Sequence, residues 1–524
     1  GTALTPAVSI EDQVYTQLMS ARDSGAPAHL SFLTDMSPVA IRRMVQKSAN
    51  KAPNVATGED VVSCFNDLKM KKLKGKKIKP QDVINLMLCY QKHLQDSPVS
   101  GPTPSWAKEV LVDSDLGTYE MNHFMGSLKT WMEGGEKVGV NDLGINFSET
   151  SNNKISVHSD KEDFWPVLMK DLRGAEESVN INIFGLMGDE WGKEVFDLLI
   201  EKAKKGVKVR VMADALGARM HWYFGNKNED FIKHLRDNGI EVVITRDDDN
   251  YGNFHFDHRK FFVIDGKLAH NTGYTIEEHM RKIHFDMGMR IQGDMVKQMQ
   301  ASFFTNWIHF GGEMKDVSGA PMSFDAAMKE YFPTAEVAPG DSKGKLLLNI
   351  PHVQHRATET YYEHVSSAKE KIMVINEFLS DNELMDRLYE KAQEGVEVEI
   401  LFPRECEWEG YRFIAYEFFD KVKDMPNVKC YIYDGPQDTG WLHTKGIAID
   451  GRYINFGSTN MDELSLYHNY EQNIETEDPD VVKQVEEKIF DYAKKYSKLY
   501  DEPESWSRTI KTFFYKLFKR VIEP

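Results

Sequence analysis

Two histidines, each with a lysine two residues on, stand 185 residues apart in His258-Arg-Lys260-Phe-Phe-Val-Ile-Asp265-Gly266 and His443-Thr-Lys445-Gly-Ile-Ala-Ile-Asp450-Gly451. Each segment starts polar, runs into an apolar stretch and stops at Asp-Gly, the pattern of a strand that ends in a turn. Residues two apart on a strand share a face, so each histidine points the same way as its lysine. That pairing suits a phosphodiester, an anion whose charge must be neutralised before a nucleophile can approach. Two lysines from two strands would clamp the non-bridging oxygens. A neutral imidazole can then attack phosphorus while a second, protonated one donates to the leaving oxygen, and water or an alcohol completes the cycle with the roles reversed. An imidazole used this way needs one ring nitrogen held by an acceptor. Asp286 and Glu471 each follow their histidine by 28 residues, so these carboxylates are expected to orient the two rings.

The elements that position these groups repeat as well. From about Lys154 the pattern is one of short apolar strands alternating with amphipathic helices, which predicts α/β units. Ala368-Lys-Glu-Lys-Ile-Met-Val-Ile375 echoes Ala175-Glu-Glu-Ser-Val-Asn-Ile-Asn182, and Glu394-Gly395-Val-Glu-Val-Glu-Ile400 echoes Lys205-Gly206-Val-Lys-Val-Arg-Val211. A duplication at so steady a period predicts two similar units packed together with a site built from both.

The paired HxKxxxxDG segments, with Gly457-Ser-Thr-Asn460 after the second, resemble the phospholipase D superfamily signature. The likeness runs over roughly residues 155 to 500. It is greatest to bacterial cardiolipin synthases, through Phe285-Asp286-Met-Gly-Met-Arg-Ile-Gln-Gly293 and Phe303-Phe-Thr-Asn-Trp307. The resemblance implies an α/β fold of two tandem phospholipase D-like α/β/α sandwich units with pseudo-twofold symmetry, at about 150–315 and 340–500. It also implies a phosphohistidine intermediate with no metal or other cofactor. His258 would be the nucleophile and His443 the general acid, although spacing alone does not assign those roles. Lys260, Lys445 and Asn460, with Ser458, would hold the phosphate, and Asp265 and Asp450 would support the motifs. The chain departs from the family pattern at Thr272-Gly273-Tyr274-Thr275, where a hydroxyl stands in place of the expected asparagine. Thr275 can still donate one hydrogen bond to substrate, so a changed rate or acceptor preference is expected before inactivity.

Composition narrows the substrate. The 524 residues carry a formal charge of −18, which disfavours nucleic acid over most of the surface. Cys64, Cys89, Cys406 and Cys430 are scattered, without the spacing of a zinc site or disulfide framework. His255, Asp257 and His258 do not form a ligand set at strand spacing. No apolar run approaches the length of a membrane span, and no signal peptide is evident, so a soluble chain is expected. A helical region is expected over 1–130, within which Asp67 to Pro80 carries seven lysines. That stretch reads either as a solvated loop or as a docking site for anionic lipid or nucleic acid. Trp506, Ile510, Phe513, Phe514, Leu517 and Val521 fall on one face of a basic terminal helix at 503–524. Such a helix suits peripheral contact with a phospholipid bilayer or micelle, or docking on the protein's own core. The leading expectation is a phospholipase D or phosphatidyltransferase that passes a phosphatidyl group to water or an alcohol such as glycerol or phosphatidylglycerol. A nucleic-acid phosphodiesterase and a membrane-binding protein with an altered active site are the alternatives.

Overall fold

The computed structural model describes Val45, Phe147 and residues from 149 to 502, except 160–162, 220–226, 246–255, 317, 334–338, 352–353, 407–408 and 437–438. The helical region expected over 1–130, with its lysine-rich stretch, and the amphipathic helix expected over 503–524 lie outside the described residues, apart from Val45. From Phe147 on, the described residues belong to one compact unit.

In the first half the strands are β1 (Thr150–Ser159), β2 (Ser178–Ile183), β3 (Lys208–Asp214), β4 (Glu241–Thr245), β5 (Phe261–Ile264), β6 (Leu268–Thr272), β7 (His284–Phe285) and β8 (Met287–Gln292). In the second they are β9 (Ser342–Ile350), β10 (Gln354–His355), β11 (Lys371–Ile375), β12 (Glu397–Pro403), β13 (Val428–Tyr433), β14 (Trp441–Leu442), β15 (Gly446–Ile449), β16 (Tyr453–Gly457), β17 (Glu471–Thr476) and β18 (Ser497–Leu499). One sheet runs β18-β13-β12-β11-β15-β16-β17-β9-β1-β8-β6-β5-β2-β3-β4, with β10 beside β9. Read outward from the antiparallel β1·β9 pair at its centre, the order is the same on both sides: β8-β6-β5-β2-β3-β4 answers β17-β16-β15-β11-β12-β13. The duplication in sequence is thus a pseudo-twofold in space, with the halves joined edge to edge.

Within each half, β2, β3 and β4, like β11, β12 and β13, are parallel and separated by helices, as apolar strands alternating with amphipathic helices require. All six residues of β2 are buried, so both faces of the sheet are covered. Val179, Ile181 and Ile183 join the core formed with helices Phe164–Gly174 and Glu190–Lys204. On the opposite face Asn180 donates to Gln300 of helix Asp294–His309, which is buried along almost its whole length. This is the expected α/β/α layering. Among the described residues no helix is long and apolar enough to cross a membrane.

The Asp-Gly turns close the motif strands at the end away from the histidines. Asp265 and Asp450 both sit at φ 53°, a left-handed conformation that aspartate tolerates better than most residues. The Asp265 carboxylate accepts from the backbone N–H groups of Glu176, Glu177 and Ser178 at 3.0, 2.7 and 2.9 Å. Asp450 repeats this with Lys369, Glu370 and Lys371 at 2.9, 2.8 and 2.8 Å. These aspartates therefore lock β5 onto β2 and β15 onto β11. Burial pushes the Asp450 pKa up, but the three N–H groups outweigh it and leave the carboxyl below its ordinary value. Such a group stabilises the fold above its unfolded pKa, and the stabilisation is lost as pH falls through the lower folded value. Asp450→Asn keeps the φ tolerance and removes the charge. It is expected to cost about 1 kcal/mol at neutral pH. In denaturant unfolding, the gap between variant and wild type should close as pH falls below the ordinary carboxylate range.

Candidate active site

Each histidine lies just outside its own motif strand, where backbone from the other half meets it. Asp257 bridges to Tyr470 in parallel, Tyr470 N–H donates to Phe256 O at 2.8 Å, and His258 N–H donates to Tyr470 O at 3.0 Å. The second half mirrors this: β14 pairs in parallel with β7, matching Leu442 to Phe285, and His443 N–H donates to Phe285 O at 2.8 Å. Asp286 and Glu471 directly follow Phe285 and Tyr470, so each carboxylate is carried to the histidine of the opposite half.

The side chains complete the exchange. His258 Nδ1 lies 3.1 Å from Glu471 Oε1, and His443 Nδ1 lies 2.7 Å from Asp286 Oδ2. The equal spacing in sequence picked out these two carboxylates but not their crossing, in which the paired side chains are 157 and 213 residues apart. The site brings together His258, Lys260, His443, Lys445, Asp286 and Glu471. Asp265 and Asp450 stay at the far end of their strands, on backbone N–H groups, and do not reach the histidines.

Both lysines are buried, and each ammonium donates to the carbonyl of its own histidine, Lys260 at 2.6 Å. In turn Lys260 O accepts from Thr272 N–H at 3.0 Å, and Lys445 O from Gly457 N–H at 3.2 Å. Burial brings the Lys260 pKa down to about 7, with Lys445 adding to the fall and Glu471 opposing it. Burial also lowers the His258 imidazole, assisted by Lys260 and Lys445 and resisted by Glu471. His443 is pushed well below its ordinary value by burial and by the charges of Lys445, His284, Lys260 and His258. Each histidine thus feels both lysines, as a shared anion site requires. Both rings are held in the neutral form near neutral pH.

The residues after the motif strands divide the supporting work. Ser458, expected at the substrate, instead donates to Glu471 Oε2 at 2.5 Å and accepts from Gln472 N–H at 3.0 Å; its hydroxyl is spent on holding the carboxylate that holds His258. The matching position in the first half is Gly273, where a Cβ would lie 2.2 Å from Asp286 Oδ2. The shorter aspartate can approach His443 only because no side chain stands there. Thr275 and Asn460, which match at the same 185-residue offset, are 4% and 3% exposed. Thr275 Oγ1 and Asn460 Oδ1 have no hydrogen-bond partner among the described residues.

Three neighbours of the site carried no motif in the sequence. Phe184 packs edge-on against His258, centroids 5.3 Å apart, and its ring lies 5.4 Å from Lys260 Nζ. Arg259 is buried in a two-point pair with Asp257 at 2.8 and 2.7 Å, bracing the backbone on either side of His258. Glu377 is a further buried carboxylate, with Oε2 3.6 Å from His443 Nε2 and 3.7 Å from Lys445 Nζ. Extending the internal duplication by two residues would have set Phe184 against Glu377 and exposed the difference.

The crossing has a direct spectroscopic test. Removing an anion beside an imidazole lowers its pKa. Glu471→Gln is therefore expected to move the NMR titration of His258 to lower pH and Asp286→Asn that of His443, each leaving the other ring nearly unchanged. The opposite assignment would mean that each half orients its own histidine.

Comparison with known proteins places this arrangement in a family. Residues 168–307 and 361–492, one segment around each histidine motif, match the family described as "Cardiolipin synthase, PLD-like domain". Similar proteins include a cardiolipin synthase of Clostridium perfringens (strain SM101 / Type A), 25% identical over 359 residues, covering 66% of this chain and 71% of that one. Another is a cardiolipin synthase of Oceanobacillus iheyensis, 25% identical over 447 residues, covering 80% and 86%. Among solved structures, phosphatidylserine synthase from Haemophilus influenzae Rd KW20 superimposes with a TM-score of 0.55 at 16% identity, covering 70% of this chain and 93% of that one, which shows a shared fold. With more than half of its residues matched and both histidine motifs inside the match, the chain belongs to the PLD-like cardiolipin synthase family, within the phospholipase D superfamily of enzymes.

Proposed function

We propose that this enzyme is a phosphatidyltransferase that takes a phosphatidyl group from a phospholipid onto His258 and passes it to an alcohol or to water. The observation that carries the reading is the pair of imidazoles, each with Nδ1 on a carboxylate of the opposite half, sharing two buried lysines. The cardiolipin synthases among its relatives support a phospholipid as the substrate.

With Nδ1–H donated to Glu471, neutral His258 presents the Nε2 lone pair, and its depressed pKa keeps that form populated. Nε2 attacks phosphorus, a P–N bond forms, and the P–O bond to the headgroup breaks. His443 Nε2–H gives its proton to the departing oxygen. The two lysines hold the non-bridging oxygens, and Asn460 and Thr275, whose Oδ1 and Oγ1 have no hydrogen-bond partner among the described residues, are further phosphate contacts in this reading. Lys445 and Lys260 are among the charges that depress His443, while Asp286 at 2.7 Å pulls the other way. A phosphodiester between the lysines offsets them, so His443 gains its proton as substrate binds. In the return step an incoming hydroxyl loses its proton to His443 Nε2, forms the new P–O bond and releases His258. No residue in this scheme needs a metal ion. Contact with the lipid surface is peripheral in this reading, through segments such as 503–524.

The test is product analysis after incubation with phosphatidylglycerol vesicles, alongside a DNA substrate. Wild type is expected to give phosphatidic acid, cardiolipin or both. His258→Ala and His443→Ala should each fall by about a thousandfold or more. Cleaved DNA with untouched lipid would replace this reading with a nuclease.

A further inference from the structure

Asn460 stands in a turn whose backbone is gripped on both sides. Before it, Thr459 donates from its N–H and from Oγ1 to Asn473 Oδ1, at 3.1 and 2.8 Å, and the Thr459 carbonyl accepts from Tyr361 OH at 3.2 Å. After it, Met461 N–H donates to Asn376 Oδ1 at 3.3 Å, and the Met461 carbonyl accepts from Ser380 and Asp381 N–H at 2.9 and 3.0 Å. Asn473 donates in turn from Nδ2 to Tyr361 OH at 2.9 Å and to Asn455 Oδ1 at 2.7 Å. Both donors and both acceptor sites of this buried carboxamide are thus used. Because a backbone N–H can only donate, the oxygen of Asn473 is the atom that faces Thr459, and the network has one orientation.

The strand that carries Asn473 also carries Glu471. Two residues apart on β17, their side chains share a face. Glu471 accepts from Ser458 Oγ and holds His258 Nδ1, while Asn473 accepts from Thr459, the next residue along, and stands behind Asn460. One strand face therefore registers His258 and Asn460 against each other. The first half is built otherwise. At the same 185-residue offset Asn473 is matched by Gly288 and Thr459 by Tyr274, whose N–H goes to Thr272 Oγ1 and whose ring stacks on Phe164 with centroids 4.8 Å apart. Phe164 also fills the space into which a side chain at Gly288 would project. A turn at this place can thus be held mainly by packing, so the fold alone does not call for four directional hydrogen bonds through Asn473. What those bonds add is position, and misplacing a contacting group by about 1 Å can cost about a hundredfold in rate.

Resting on the reading above, in which Asn460 contacts the phosphate, we propose that Asn473 is a positioning residue for that contact. By fixing Thr459 it sets where the Asn460 carboxamide meets a non-bridging oxygen, in the same register in which Glu471 fixes His258. Asn473 acts only through Thr459 and touches no reacting atom.

A double-mutant cycle tests this. The quantity measured is kcat/KM for p-nitrophenol release from phosphatidyl-p-nitrophenol in detergent micelles, per molecule shown to be folded by circular dichroism. This leaving group departs without acid assistance, so the rate reports how the phosphate is held and attacked. Asn460→Ala is expected to lower it about a hundredfold, as loss of one donor to a charged oxygen does. Asn473→Ala should cost about tenfold or more, and Thr459→Val, which deletes one of the two bonds while keeping the shape, about threefold, with Thr459→Ser restoring the rate. In the Asn460→Ala background neither Asn473→Ala nor Thr459→Val should lower the rate by more than about twofold, because the group they position is already gone. If Asn473→Ala does not fold, the Thr459 pair carries the comparison. Equal losses in both backgrounds, or no loss in Thr459→Val, would make Asn473 a support of the fold and overturn the inference alone. A wild-type rate in Asn460→Ala would remove Asn460 from the phosphate and overturn the inference while leaving phosphatidyl transfer intact. No release by the wild type would overturn the phosphatidyltransferase reading and this inference with it.

Discussion

Everything at this site depends on two short parallel backbone pairings, Asp257 with Tyr470 and Leu442 with Phe285. They lie at the same offset in the two halves and do the same work, setting the residue before each histidine against the residue before the other half's carboxylate. Because a backbone pairing fixes where both flanking side chains begin, Glu471 has little choice but to meet His258, and Asp286 to meet His443. Neither half supplies the carboxylate that holds Nδ1 of its own histidine. The edge-to-edge join of β1 to β9 brings the halves together, and the Asp265 and Asp450 turns hold the motif strands in register behind the site.

Collecting imidazoles, lysines and carboxylates in a buried space is costly unless the charges are answered. The chain answers them with fixed partners: carboxylates on Nδ1, histidine carbonyls on the lysines, and the Ser458 hydroxyl on Glu471. Burial first, and then repulsion from Lys445, brings Lys260 down to about 7. An anion is the group that relieves that repulsion. In the proposed mechanism the same substrate charge that the lysines attract sets the protonation states that the chemistry needs. Phe184 and Glu377, at matching positions, give the two imidazoles different neighbours.

The histidines, lysines and carboxylates were legible in the sequence because a strand with period two and a steady internal repeat leave a linear record. The fold was legible for the same reason: β2, β3 and β4 and their counterparts alternate with helices at fixed spacing, and the sheet order is palindromic. The carboxylate exchange was not legible, since equal offsets are satisfied by either pairing and only the long-range bridge at Tyr470 chooses. Ser458 reads as a ligand contact because it is a hydroxyl in a phosphate-binding motif; its hydrogen bond to Glu471 was not legible, since it depends on the folded site. Asp265 and Asp450 read as part of a catalytic motif, but what they hold is backbone. Glu377 belongs to no motif.

The central claim is that two imidazoles with matched Nδ1 partners divide one reaction, His258 bonding to phosphorus and His443 moving the proton. The most direct measurement is to trap the covalent adduct, using a phosphatidyl donor with a p-nitrophenol leaving group that departs without acid assistance. After an alkaline denaturing quench, which preserves phosphorus–nitrogen bonds, the modified peptide is identified by mass spectrometry. The expected result is a phosphatidyl group on His258 that accumulates in His443→Ala, where no base remains to activate the acceptor. A phosphatidyl group on His443 in the wild type, or on no histidine at all, would contradict the account.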